Sequence, residues 1–253
     1  MIVRAVRAEL VKIATVRATK WLLLGSSAAA VAITVIVALV VRNIGENIDD
    51  LGVVALAPLS GFGGLPGIGI TFAAVIGVLS VTTEMRYNTL RATFLAVPNR
   101  WIALLAKTIV VAVVCAVAYA VAMVVAVLAF GVIVDGSPAE VLRAGGASFL
   151  AFPIGTAFAA VLGVAVGAAL RNGAGAITLL LGYLFVVDNV VTSIPQTREA
   201  GPYLPLSNLQ NFMGVLIDGG AFPWGPGVSF VYLVIVIGAL WAGAVALVAR
   251  RDA

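Results

Sequence analysis

Residues 83–107 read TEMRYNTLRATFLAVPNRWIALLAK and lie between two long apolar runs. Read as a helix, Tyr87, Leu90, Phe94 and Val97 recur at helical spacing and form an apolar stripe. Glu84, Asn88 and Arg91 fall on another face, with Arg86, Thr89 and Thr93 beside it. Pro98 ends such a helix, and Asn99-Arg100 opens the next segment. A loop joining two helices needs only a few residues, whereas this one spends about 18 on a patterned element. Two readings stay open from pattern alone: a helix that docks on a partner, or a solvated helix with none.

The surrounding composition says where this charged break lies. Of the 253 residues, 62% are hydrophobic and 10% are charged, with a mean hydropathy of +1.17. Soluble domains carry about 25% charged residues, so most of this chain belongs in lipid, as one membrane unit. The lone Cys115 lies in an apolar run and excludes an intrachain disulfide. With no His in the chain, His-based catalysis, His metal sites and a Ser-His-Asp triad are excluded together. The sequence pI near 9.6 reflects basic residues on one side of a membrane rather than nucleic-acid binding.

A spanning helix takes about 20 apolar residues, and six runs qualify: about 22–41, 59–82, 103–134, 146–170, 174–191 and 228–249. The fourth and fifth are separated only by Arg171-Asn172-Gly173, a tight helical hairpin. With the N-terminus inside, 12 of the 15 Lys and Arg face inward, leaving Arg42, Arg143 and Arg198 outside. Only three of the 11 acids, Glu9, Glu84 and Asp252, fall inside. The inner side then carries +9 and the outer side −5. By the positive-inside rule both termini are expected in the cytoplasm. The expected fold is all-α: a polytopic membrane protein of six transmembrane helices forming a single transmembrane domain over residues 1–253.

Two further segments carry structure. Residues 2–19 read as an interfacial amphipathic helix, with Val3, Val6, Leu10 and Ile13 on one face and Arg4 and Lys12 away from it. The five basic residues ahead of a run long enough to span argue against a cleavable signal peptide. The outer segment 192–227 is apolar but broken by Pro195, Pro202, Pro205, Pro223 and Pro226. Within it, Leu206–Ile217 reads as a short helix, capped by Ser207 or Asn208 and stopped by Gly219-Gly220. That favours a re-entrant or surface-lying arrangement between spans five and six.

Glu84, then Thr89-Leu90, Pro98, Arg100 and finally Lys107 resemble, in this order, the signature of permease subunits of ABC-2 type transporters, the membrane subunits of bacterial ABC exporters. That pattern runs Glu, Gly-Thr, an apolar stretch, Pro, a basic residue, then Lys at the start of the next span. Asn88 stands where many members have Gly. The resemblance also takes in the amphipathic N-terminus, the six spans and the broken segment before span six, nearly the whole chain. It implies that the N-terminal helix and a coupling helix after span two dock on a separate cytoplasmic ATPase subunit, which binds the ATP and Mg. The resemblance assigns Glu84, Arg86, Thr89 and Arg91 to that contact, with Asn88 on the same face and Pro98, Arg100 and Lys107 shaping the turn into span three.

The chain holds no phosphate-binding loop of its own. Such a loop needs a Lys after Gly, and Lys12, Lys20 and Lys107 all follow other residues. It is therefore expected to be no enzyme and to bind no cofactor, with a partner supplying the hydrolysis. A second permease copy, giving a two-fold dimer, is also expected, along with membrane lipid and no nucleic acid. Gly63, Gly64, Pro66 and Gly67 near the outer start of span two are candidates for a helix break beside a pathway. Gly163 and Gly167 have the spacing that lets helices approach closely.

Ionisable residues deep in the spans are nearly absent; Asp188 and Asp135 read as interfacial. The expected function is export of a hydrophobic or amphiphilic cargo (lipid, drug-like compound or peptide) across the plasma membrane. An ion-coupled secondary carrier would show buried charges and an inverted repeat. A non-transporting assembly or immunity factor on the same scaffold stays open as a further alternative.

Overall fold

The computed structural model describes residues 2–44, 51–62, 64–87, 100–134, 137–215 and 222–251. Six of its helices are long and apolar enough to cross a membrane, so the chain is an all-α multi-pass membrane protein. A helix α1 (Ile2–Thr15) precedes span one, α2 (Arg17–Ile44). Next come α3 (Leu51–Ser60), a two-stranded hairpin of β1 (Gly61–Phe62) and β2 (Leu65–Pro66), and span two, α4 (Ile68–Arg86). Span three is α5 (Arg100–Ile133); α6 (Pro138–Gly145) leads to span four, α7 (Ser148–Leu170). Span five joins α8 (Gly173–Gly182), a π-helical turn (Tyr183–Val187) and α9 (Asp188–Ser193). A 3-10 turn (Arg198–Tyr203) and α10 (Pro205–Met213) precede span six, α11 (Pro226–Arg251).

Span two differs most from its expected bounds. It begins at Ile68 rather than near residue 59, because the chain turns back on itself at the hairpin. Gly61 and Gly64 have φ of 113° and 85°, conformations that side chains with a Cβ rarely adopt. Hydropathy runs through this turn without a dip, so pattern alone merges α3 into the span. At its other end the helix continues to Arg86, which places Glu84 in the last turn of span two. The expected coupling helix, with Asn88, Thr89, Arg91 and Pro98, lies outside the described residues, as do Gly63 and Gly219-Gly220. The short helix expected at 206–217 begins at Pro205, with Leu204 rather than Ser207 or Asn208 as its N-cap, and stops at Gly214 in a left-handed conformation.

Spans two and four form the centre of the bundle, and their backbones touch. An added Cβ at Gly77 would stand 2.2 Å from the Ala160 carbonyl oxygen, and one at Gly163 only 2.0 Å from that of Ala74. Gly167 faces Val78 in the same seam, at 2.9 Å. Between chains of apolar residues in lipid, such close backbone contact supplies the dispersion that holds helices together. The hairpin between spans four and five turns at Arg171, whose φ is 55°, and Asn172 caps α8 by accepting a hydrogen bond from the Gly175 amide at 3.3 Å.

Candidate functional site

The most highly charged cluster among the described residues sits where α1 meets the feet of spans two and three. Glu84 Oε1 accepts from Lys12 Nζ and from Lys107 Nζ, both at 2.9 Å. Glu9 receives Lys12 at 2.6 Å on one oxygen and Lys107 at 2.5 Å on the other. The four side chains close a ring in which each charge touches both opposite charges. Glu9 and Lys107 are buried and Glu84 nearly so, while Lys12 keeps contact with solvent. Buried ions are held only where such partners offset the lost hydration. One residue beyond Lys107, Thr108 Oγ1 accepts from Trp241 Nε1 at 2.9 Å, tying span six to the same place.

The ring turns α1 in a direction that apolar periodicity does not show. Its protein-facing side carries Ala5 and Glu9, both buried, with Lys12 beside them. Of the apolar stripe, Val3 and Leu10 are exposed and Val6 and Ile13 half-buried. Among the residues assigned to coupling, Arg86 is exposed, with its guanidinium 6.0 Å from the Tyr87 ring centre, and Arg100 opens the helix of span three. Of the two members of that set whose side chains the structure describes, Glu84 points into the ring and Arg86 is exposed. Sequence reasoning missed that Lys12 and Lys107 pair with Glu84, and that Glu9 completes the ring. The available signal was that Glu9 and Glu84 are two of only three inner-side acids, each placed amid cations at the margin of an apolar run.

The ring changes the titration of Lys12. Burial pushes its pKa down, but hydrogen bonds and charge from Glu9 and Glu84 outweigh that and raise it above the ordinary 10.5. A raised lysine pKa stabilises the fold at pH values below the unfolded one, and that contribution is lost as pH climbs through the folded value. The thermal midpoint of the purified protein is therefore expected to lose this contribution only above about pH 10.5. The variant Lys12→Arg, whose guanidinium stays charged there, should lack that step. A lysine-dependent fall already near neutral pH would contradict the ring.

At the opposite end of the bundle a neutral polar network holds α10 in place. Asn208 Nδ2 donates to the carbonyls of Pro202 and Leu204, and its Oδ1 accepts from Trp224 Nε1 at 3.1 Å and Ser229 Oγ at 2.9 Å. Gln210 donates to the Leu65 carbonyl at 3.1 Å, and Asn189 to that of Gly64 at 3.3 Å. These bonds seat the hairpin at the start of span two under span five and α10. Pro66 is buried there, and a Cβ on Gly67 would fall 2.4 Å from the Leu59 carbonyl.

Asp188, expected near the outer interface, is buried within the protein at 1% exposure just after the π-helical turn. Its Oδ2 accepts from Ser207 Oγ at 2.8 Å, so α10 folds back over it. The folding-back of 194–213 is what hydropathy cannot show. Between α10 and spans two, four, five and six lies an apolar cavity of about 20 Å³, lined by Ile70, Phe158, Leu184, Leu209 and Leu233 among others. It has room for about one water-sized group.

No family model and no curated protein matches this sequence.

Proposed function

We propose that the chain is the permease subunit of an ATP-driven exporter of the ABC-2 type. It acts as a dimer in the plasma membrane with both termini in the cytoplasm, and a separate ATPase drives it. The observation that carries the reading is the ion-pair ring. It links a helix outside the spans to the feet of spans two and three at the end of the bundle where Lys and Arg collect. A transport ATPase can move spans only through such a rigid connection. The resemblance of Glu84 through Lys107 to the ABC-2 signature supports the same reading. The cargo class that suits spans so poor in charge is hydrophobic or amphiphilic.

A second reading, an ion-coupled carrier, draws on one observation: Asp188 is a buried acid inside span five. One purification separates the two. Isolated gently from its native membrane, the chain is expected to bring along a soluble subunit bearing a phosphate-binding loop, and the complex to hydrolyse ATP. A chain that runs alone, shows no associated ATPase and passes protons in liposomes through Asp188 would replace the first reading with the second.

A further inference from the structure

We infer that the four-charge ring is a register lock that fixes α1 to the bundle by charge polarity rather than by apolar burial. The ring is built from two halves, each electrically neutral. One half is Glu9 with Lys12, three residues apart on α1 and 2.6 Å from each other. The other is Glu84 on span two with Lys107 on span three, 2.9 Å apart. The halves meet with opposite charges facing: Lys12 on Glu84 at 2.9 Å, and Glu9 on Lys107 at 2.5 Å.

Two features make this a lock rather than an incidental ion cluster. First, the apolar residues of α1 set little of its register on the bundle, since Val3, Leu10 and Val11 face away from the protein, Ala5 alone among its hydrophobics is buried, and Ile13 is partly buried against the core. Second, the match depends on register. Each residue turns a helix by about 100°, so a slip of one position carries Glu9 off Lys107 and presents an apolar side chain to a buried ammonium. Specifying register is the best-attested use of buried charge. Docking changes no net charge, so it neither needs nor disturbs the basic character of this end of the bundle.

In consequence, α1 and the feet of spans two and three form one body. Glu84 is then a positioning residue, acting through Lys12 and Lys107 rather than by touching a partner. That last consequence rests on the permease reading, under which a push on α1 reaches both spans together; the lock itself does not.

Hydrogen exchange on the intact protein in lipid nanodiscs tests the lock. The double variant Glu9→Lys/Lys12→Glu keeps composition, net charge and helix length but sets like charges against each other. Its amides over residues 2–15 are expected to exchange about tenfold faster or more, with spans two and four unchanged. Adding Glu84→Lys/Lys107→Glu reverses the other half and is expected to bring exchange back to within about threefold of the parent. Should the double variant not fold, the quadruple variant is still expected to fold and protect α1. Unchanged exchange in the double variant overturns the lock, as does a quadruple variant that stays unprotected or unfolded. None of these results depends on whether an ATPase co-purifies, so the lock and the permease reading stand or fall separately.

Discussion

Gly163→Leu is expected to abolish recovery of a monodisperse folded protein, and Gly163→Ala to lower its thermal midpoint clearly. The first Cβ added here meets backbone: the Ala74 carbonyl oxygen at 2.0 Å and the Gly77 Cα at 3.1 Å. Neither can rotate aside as a side chain could, so spans two and four must move apart. Overpacking a fitted core costs about 1–3 kcal/mol and occasionally more. For alanine we expect the upper end of that range, and for leucine a loss the central seam does not survive. Gly238 in span six supplies the control, because a Cβ there meets nothing within 4 Å. Gly238→Ala should leave the midpoint level or slightly higher, since alanine favours a helix by up to about 1 kcal/mol over glycine. Size-exclusion profiles and thermal scans in one detergent check all three variants. A Gly163→Leu protein that elutes and melts like the parent would sink the close-contact account.

The second large effect is expected at Lys107. Lys107→Met removes one cation from the ring and leaves Glu9 and Glu84 to share Lys12 within it. Stripping one partner from a buried ion pair costs about 3–5 kcal/mol, because the remaining charge keeps its lost hydration without its compensation. Adding Glu9→Gln to that variant subtracts the matching acid and leaves a balanced Lys12–Glu84 pair. The double variant is therefore expected to be more stable than Lys107→Met alone, a coupling of opposite sign to simple addition. If the two losses add, the groups do not share a ring.

The six spans were legible because hydrocarbon imposes a length and an apolar character on each one separately. Nothing beyond the run itself is needed to see span three or span six. The boundary of span two was not legible. Gly61 and Gly64 are as apolar as helical glycines by any hydropathy measure, and only their backbone angles show a turn. The close-approach role of Gly163 and Gly167 could be suspected from spacing, but spacing cannot say which helix they meet. Asp188 read as interfacial because it lies near the end of an apolar run. Its burial arises from α10 folding back over it, a contact between segments 19 residues apart in sequence.

The candidate site divides in the same way. Glu84 stood out from sequence because it is an acid beside an apolar span, and the ABC-2 resemblance pointed to it. Glu9 and Lys107 meet across 98 residues, and no local pattern pairs them. For α1, apolar periodicity marked Val3, Val6, Leu10 and Ile13 as one face and was silent on Glu9, which the protein turns inward.

The amino-acid sequence by itself determined that this is a six-span helical membrane chain with a basic end, since hydropathy and charge asymmetry act residue by residue along the chain. Only the tertiary structure decided which charges neutralise one another, which glycines bring two backbones together and which acid is hidden. Those are properties of pairs, and the free energy of a buried ion or a close helix contact depends on a partner that can lie anywhere in the sequence.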